Sequence, residues 1–463
     1  MPSLNNQNNR QTYKQARLSR DPRFDGLFFT AVKTTGIYCR SICPASPPKE
    51  ENVDYYSSAA QAAAAGFRPC LRCRPDSAPH SAAWQGSQAT LNRAVRLIRD
   101  GALEQQSMAE LATYLGISDR YLRRLFKEHM GVSPKVYALY QQCLFAKQLL
   151  HQTTLPIGQI AMASGFNSIR RFNDCFKQHI KVTPSDIRRK TVDSIKEVLS
   201  LKLFYRPPYD WSGMHQFWQG RILPAIETLD DNSYQRSFEF NGQQGSFKAT
   251  HQPEQHCFDV AIQLADLTDL RQLVNNIRRI LDLDANTEAI ESHLKACVPN
   301  GFTIRPGLRI PGIWDYFEAG IRAILGQQVS IQAARNLLNT LVEHTGQQTS
   351  GLTYFPTPRD LLKSDLACLK MPGSRKATLH RFANHMIKSD TPENPDEWLT
   401  IKGIGPWTVN YIRMRGLSDP DVFLTGDSGI KNALRQFNLS EADFDASAAA
   451  PWRSYLTFQL WRQ

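Results

Sequence analysis

The chain has 463 residues, 41% of them hydrophobic, and a formal net charge of +12. That length exceeds one small module and predicts about three or four domains. No apolar run approaches bilayer-spanning length, and the first twenty residues are polar and basic without the apolar stretch of a secretory signal. A membrane protein and a disulfide-stapled secreted one are thereby excluded, and a reducing, cytoplasmic setting is expected. The charge is unevenly placed: residues 1–90 carry +5, 91–190 carry +9 and 191–463 carry −2. Phosphate binding by counterion release is therefore expected of the first 190 residues.

Near the N-terminus, Cys39, Cys43, Cys70 and Cys73 form a C-x3-C and C-x2-C set. Two close pairs let short loops bring four thiolates around one tetrahedral zinc ion, and in a reducing compartment paired cysteines hold metal more often than they bridge. The other five cysteines, Cys143, Cys175, Cys257, Cys297 and Cys368, lack such spacing and read as buried thiols. Spacing alone favours a structural zinc knot, because closed four-thiolate sites are usually structural. Residues 75–90, rich in Pro, Ser, Ala and Gly, then mark a linker.

Residues 91–190 contain a repeat of about fifty residues. Ala112-x3-Gly116, Phe126-Lys127 and Val132-Ser133-Pro134 are answered by Ala161-x3-Gly165, Phe176-Lys177 and Val182-Thr183-Pro184. Each copy reads as a short helix, a Gly turn, a cap at Ser118 or Asn167, and a second amphipathic helix, the pattern of a helix-turn-helix. The first recognition helix carries Arg120, Arg123, Arg124 and Lys127, with Tyr121, Leu122, Leu125 and Phe126 for its core; the second carries Arg170, Arg171, Asn173 and Lys177 around Ile169, Phe172 and Phe176. One basic residue on a helix is ordinarily just a solvated charge; two matched copies point to double-stranded DNA. A charged, helix-like stretch around 191–201 before Arg206-Pro207-Pro208 marks the next boundary.

In the last region, Leu399 to Thr408 reads LTIKGIGPWT. Gly403-Ile404-Gly405 between helical stretches has the form of a helix-hairpin-helix, in which glycines let backbone amides, with Thr408 beside them, approach a phosphate without Lys or Arg. Such a hairpin reconciles DNA binding with a charge of −2. Twenty residues past Trp407 stands Asp427 before a helix; in isolation it reads as an N-cap.

These words carry family resemblances. Thr34 to Arg40 (TTGIYCR) and Ala64 to Cys73 (AAGFRPCLRC) resemble the Ada-type methylphosphotriester sensors. That resemblance makes Cys39 the methyl acceptor, with Cys43, Cys70 and Cys73 completing the zinc shell and Arg40, Arg68, Arg72 and Arg74 near the DNA backbone. The doubled repeat resembles the AraC-type DNA-binding domain. From Pro207 to Trp211 (PPYDW), through Arg305 to Arg309 (RPGLR), Ala323 to Ser330 (AILGQQVS), the hairpin and Pro451 to Tyr455 (PWRSY), the chain resembles the AlkA-like 3-methyladenine DNA glycosylases. This last resemblance makes Asp427 the catalytic carboxylate and places Trp407, Tyr411, Trp461 and Phe217 in the base pocket. It puts Gln328 at the wedge, Gly213 where a pocket aromatic stands in the best-known member, implying a wider pocket, and Gly426 where that member has an acid.

Relatives with lyase activity have Lys where this chain has Trp407, so a monofunctional hydrolase is implied, and no cysteine follows Cys368 to build a C-terminal iron–sulfur cluster. The Pro-Cys-His-Arg word of an O6-methylguanine methyltransferase is absent.

The expected architecture is multidomain α+β: a zinc-bound methyl-acceptor domain over 1–78, an all-α double helix-turn-helix domain over 85–190, an α+β subdomain over 200–305 and a helical helix-hairpin-helix glycosylase domain over 306–463. The expected function is an alkylation-damage response protein that accepts methyl groups, activates transcription and excises bases such as 3-methyladenine and 7-methylguanine. The alternative is an activator whose last region binds DNA without catalysis. Expected partners are promoter and damaged duplex DNA and RNA polymerase, for a cytoplasmic, nucleoid-associated monomer.

Overall fold

Short strands and capped helices follow the punctuation of the sequence. The computed structural model describes residues 7–463 apart from 21–23, 25–27, 44, 57–58, 71–72, 74, 76–87, 189–198, 300 and 390. It forms two compact units: residues 1–201 with 266–275, and residues 202–265 with 276–463. Among the described residues no helix is long and apolar enough to cross a membrane.

The first unit begins with the helix Gln7–Leu18 and continues into a four-stranded sheet in the order Val53–Tyr56, Phe29–Val32, Ile37–Arg40, Arg68–Pro69, antiparallel except for its last pair. The turn at Gly36, with φ of 63°, joins the two strands that pair Thr30 with Cys39. A helix bundle follows, built around the 19-residue helix Pro134–Gln152, whose buried Tyr137, Cys143, Leu149 and Leu150 serve both halves of the repeat. Hydroxyl caps set the helix starts. Ser107 forms a capping box with Glu110, and Ser118 and Ser133 accept from the amides of Tyr121 and Val136. Each such cap satisfies an amide that has no acceptor within its helix and stabilises it by about 1 kcal/mol.

Several expectations need correction here. The second copy is capped by Ser168, which accepts from Arg171 N at 3.2 Å, rather than by Asn167. Ile169 is 51% exposed, so the helix Ile169–Ile180 packs through Phe172, Phe176 and Ile180. Cys143 and Cys257 are buried thiols, but Cys175, Cys297 and Cys368 are half-buried. The expected linker lies outside the described residues over 76–87, and from Gln88 the chain is helical. The helix-like stretch also lies outside them over 191–198; Leu199–Phe204 is a strand, in which Leu201 and Leu203 alternate inward. Period-two burial overrides the helical propensity of its Leu and Lys.

That strand edges a five-stranded sheet ordered Leu199–Phe204, Cys257–Leu264, Gln243–Gln252, Ser233–Phe240, Glu227–Asp230. The second unit's helical core gathers Ile321, Leu341, Leu361, Phe382, Trp398 and Ile412 from successive helices. Sheet and helices are joined by a buried charge network. Arg236 reaches Glu318 at 2.9 Å, and Arg322 reaches Glu318 at 2.7 Å and Glu227 at 3.1 Å. Burial pushes the Glu318 carboxyl up, but Arg236 and Arg322 outweigh it and hold the group well below its ordinary 4.5.

A depressed carboxylate stabilises the native state above its unfolded pKa and loses that contribution as pH falls. Glu318→Gln is expected to cost about 3 to 5 kcal/mol at pH 7 by leaving two buried guanidiniums undercompensated. Urea unfolding of this unit should show that loss at pH 7 and a smaller difference from the unaltered chain at pH 3. An equal loss at both pH values would contradict the charge assignment.

Candidate functional site

Strand pairing brings the cysteines together. Cys39 is the penultimate residue of the strand Ile37–Arg40, and Cys70 follows the parallel strand Arg68–Pro69, its amide donating to the carbonyl of Tyr38 at 2.9 Å. Cys43 turns back beneath it with its amide on the carbonyl of Arg40, and the amide of Arg40 donates to Cys73 Sγ at 3.3 Å. All four sulfurs lie within 4.8 Å of one another. The edge of a tetrahedron with Zn–S bonds of about 2.3 Å is about 3.8 Å, so the set fits zinc. Hydrogen bonds with its neighbours, that of Cys43 foremost, push the Cys39 thiol up, while those with Cys39 draw Cys70 down. Sulfurs this crowded do not all ionise without a cation between them.

Cys70 and Cys73 are buried, whereas Cys39 and Cys43 are half-buried, so Cys39 retains access from outside. Its neighbour Tyr38 is fully buried, and the Tyr38 hydroxyl meets that of Tyr140 on the helix Pro134–Gln152. The metal-ligand strand thus rests on the helix shared by the two repeats. Arg40 bonds back to the Cys73 carbonyl and Arg68 is half-buried; Arg72 and Arg74 lie outside the described residues.

The basic residues of both recognition helices face outward. Arg120, Arg123, Arg124, Arg170, Arg171 and Lys177 are exposed, while Leu122, Leu125, Phe126, Phe172 and Phe176 are buried. Arg123 is braced by Asp119 at 2.8 Å and Arg124 lies 4.9 Å from the Tyr121 ring, so each is held at the surface by its own helix.

In the second unit the hairpin runs from Trp398 into the helix Pro406–Gly416. Gly403 has φ of 99°, and a Cβ there would meet Thr378 Oγ1 at 2.2 Å, so only glycine fits. Gly405 has open space around its Cα and caps the helix, leaving first-turn amides that point outward along the axis. Thr408 faces inward, 2% exposed, its hydroxyl accepting from Gln327, which also donates to the Gly403 carbonyl.

The same helix presents Trp407 and Tyr411, stacked at 5.3 Å and 23°. Phe217 and Trp461 stack at 6.3 Å and 13°. Asp427 lies between the two pairs: Trp407 Nε1 donates to its Oδ2 at 3.2 Å and Trp461 Nε1 to its Oδ1 at 2.9 Å. Oδ1 also caps the helix Ser428–Arg435 by accepting from the amides of Gly429 and Ile430 at 2.8 and 3.2 Å. Asp427 is therefore an N-cap and the centre of the site at once. Four N–H donors thus converge on this one carboxylate, three on Oδ1 and one on Oδ2.

Three features escaped sequence reasoning. The space beside Gly213 is filled by Asp210, which caps the helix Trp211–Gln219 and would meet a Cβ at 2.0 Å, so the missing aromatic leaves no simple opening. Beside Gly426, Glu441 accepts from the Gly426 amide at 2.9 Å, returning an acid to the neighbourhood from fifteen residues away. Arg221 and Arg415 pack on Phe217, 3.9 and 4.8 Å from its ring centroid. No local pattern around either arginine signals this. Gln328 is exposed with φ of 56° between the helices Tyr316–Leu325 and Ile331–Thr345.

Known proteins place these features. Family models match residues 12–76 (metal binding domain of Ada), 111–190 (helix-turn-helix domain) and 200–315 (AlkA N-terminal domain). The class is a DNA repair enzyme joined to a helix-turn-helix regulator and a zinc-binding domain. The chain is 35% identical to a Mycobacterium tuberculosis protein described as "Probable bifunctional transcriptional activator/DNA repair enzyme AlkA", over 96% of this chain and 94% of that one. It is 32% identical to DNA-3-methyladenine glycosylase 2 of Escherichia coli over 56% of this chain and 95% of that protein. It is 42% identical to the E. coli bifunctional transcriptional activator/DNA repair enzyme Ada, over 33% of this chain and 41% of that protein. The chain belongs to the family of bifunctional Ada/AlkA-type transcriptional activators and DNA repair enzymes.

A Cβ at Gly429 would come within 2.9 Å of Trp461 and 3.0 Å of Asp427 Oδ1. Gly429→Ala is expected to displace the indole from the carboxylate and lower base release at least about tenfold, since small misplacements in a preorganised site cost that much. Single-turnover assays alongside circular dichroism check this; a folded variant with unchanged rate would show the bracket to be dispensable.

Proposed function

We propose that the chain repairs two kinds of alkylation on double-stranded DNA and couples one of them to transcription. Asp427, held by both pocket tryptophans, is the observation that carries the glycosylase half. A damaged nucleotide leaves the helix and enters between the rings of Trp407, Tyr411 and Trp461 while the hairpin amides at Gly403 and Gly405 hold the backbone. Gln328 fills the vacated space. The bond from C1′ to the base nitrogen breaks with its electrons going to the base, and the fixed carboxylate stabilises the positive sugar. Water then bonds to C1′ and gives up a proton towards Asp427. A base alkylated at N3 or N7 is already cationic and leaves neutral, so 3-methyladenine and 7-methylguanine are the expected products. With Trp407 where an amine would stand, the reaction is hydrolysis without a Schiff base.

In the sensor half Cys39, Cys43, Cys70 and Cys73 would hold one zinc ion, whose charge would keep their sulfurs deprotonated and nucleophilic. Cys39 Sγ attacks the methyl carbon of a methylphosphotriester; the S–C bond forms, the C–O bond breaks and the phosphodiester anion leaves. Cys39 is used once. Loss of one thiolate charge changes the site from −2 to −1 and strengthens binding to phosphate. Arg120, Arg123 and Arg124, with Arg170 and Arg171, then read successive groove segments at a promoter, where the protein, as a monomer, recruits RNA polymerase. The protein acts in the cytoplasm at the nucleoid, carries no iron–sulfur cluster, and is organised over 1–78, 85–190, 200–305 and 306–463.

The test incubates the protein and an Asp427→Asn variant with methylated duplex DNA. Release of 3-methyladenine and 7-methylguanine is expected from the first and a loss of at least about a hundredfold in the second, the scale of removing one electrostatic stabiliser. Absence of Asp427-dependent release would leave a DNA-binding activator without catalysis. Mass spectrometry should show one added methyl group on Cys39, and an unmodified Cys39 beside repaired phosphotriester would overturn the sensor half. Trp407→Lys should give no strong borohydride-trapped adduct, because an amine must also be positioned to attack.

A further inference from the structure

The base pocket is backed by two permanent cations. Arg415, on the last turn of Pro406–Gly416, is 4% exposed. Its Nε donates to the Pro311 carbonyl at 2.8 Å and its Nη1 to the Tyr411 hydroxyl at 2.8 Å. Its Cζ is 4.8 Å from the Phe217 ring centroid and 5.6 Å from that of Tyr411. Arg221 takes the Phe217 ring at 3.9 Å and donates to the Phe217 carbonyl at 3.0 Å. The carboxylate that bears on Arg415, Glu227, is already shared by Arg322 at 3.1 Å and Arg236 at 3.6 Å. Burial draws Arg221 down to about 10, with Arg415 and Arg462 adding repulsion that the Tyr411 phenol opposes. A guanidinium nevertheless stays charged at neutral pH.

Two consequences follow from this placement. The Phe217 π system is already engaged by guanidiniums, so it adds little attraction for an incoming cation, and that task falls to the Trp407–Tyr411 stack and Trp461. A fixed positive charge behind the rings also acts differently on two kinds of base. A cationic base enters against it and is relieved on leaving as a neutral molecule. A neutral base leaves with the bonding electrons and becomes negative, so the same charge favours its departure.

We propose that Arg415, assisted by Arg221, is a specificity-determining residue that stabilises the negative charge developing on a neutral damaged purine as its bond to C1′ breaks. The proposal rests on the glycosylase reading above. The C1′–N bond breaks with both electrons passing to the base, water bonds to C1′, and the proton released through Asp427 or solvent ends on the base.

The test uses the full chain with two duplexes, one containing a single hypoxanthine as the neutral purine and one a single 7-methylguanine as the cation, with protein in excess but well below saturation so that the release rates report kcat/KM. Arg415→Gln, which keeps a donor for Tyr411 but removes the charge, should lower the ratio of hypoxanthine to 7-methylguanine release at least tenfold. It should also lower the apparent KM for the 7-methylguanine duplex. Arg415→Lys should restore most of the ratio, which a purely structural role would not do. If Arg415→Gln does not fold, the half-buried Arg221→Gln is expected to shift the ratio in the same direction. An unaltered ratio in a folded variant, equal losses on both duplexes, or release of 7-methylguanine but no hypoxanthine by the unaltered protein would each overturn the proposal. Release from neither duplex would instead remove the glycosylase reading itself.

Discussion

The carboxylate of Asp427 and the two indole N–H groups that grip it are the interaction on which the glycosylase unit converges. Trp407 comes from the helix after the hairpin, Trp461 from the helix Arg453–Trp461, and Asp427 from the turn that begins Ser428–Arg435. Three separate segments are thereby fixed to one charged group. The two rings proposed to wall the pocket are also the donors that orient the carboxylate, at 3.2 and 2.9 Å. On the proposed reading, substrate shape and catalytic geometry are consequently not independent: a ring that tilts to admit a larger base also releases a hydrogen bond from the acid. Preorganised donors of this kind act before the reaction begins and need no rearrangement during it.

The two ends of the chain solve opposite electrostatic problems. Around Cys39 four sulfurs within 4.8 Å concentrate negative charge that a metal must offset. Around Phe217 two guanidiniums concentrate positive charge in an aromatic surround. On the proposed reading, the excess charge in each place sits beside the atom that reacts or the base that leaves, and each reaction relieves it in part. Exposed arginines stand elsewhere, on Asp119–His129 and Ile169–Ile180, and the hairpin amides open Pro406–Gly416, so on the proposed reading the reactive charges need not serve as phosphate anchors.

Much of this was legible because short spacing survives folding. The cysteine pairs, the repeated Gly turns and the Gly403-Ile404-Gly405 hairpin are local patterns whose geometry is fixed within a few residues, and the structure assembles each of them. Choices between neighbours were less legible: Ser168 and Asn167 are both good caps, and only the helix start decides between them. Ile169 reads as core by type, but it is the first residue after the cap and falls on the open side. Long-range partners were not legible at all. Arg221 and Arg415 meet on Phe217 across 194 residues of sequence, and nothing near either residue announces the other. Glu441 beside Gly426 is a similar case. An acid lost from one position in the chain is supplied in space by a loop.

The wedge position shows how a polar residue can stand in an apolar role. Gln328 adopts φ of 56°, a region that costs a non-glycine residue about 1 kcal/mol or more and persists only when its surroundings demand it. The demand is visible on both sides. The residues before it close the helix Tyr316–Leu325, with Gln327 tied to the hairpin through Gly403 and Thr408; the residues after it begin Ile331–Thr345 at the Ser330 cap. Pinned at both ends, the turn displays Gln328 outward with Val329 and Ile331, which are 36% and 52% exposed. On the proposed reading, a projecting amide followed by two exposed branched side chains keeps apolar surface at the point where a flipped nucleotide leaves a gap. The apolar surface expected of a wedge is then spread over its neighbours, while the amide is available to hydrogen-bond an orphaned base.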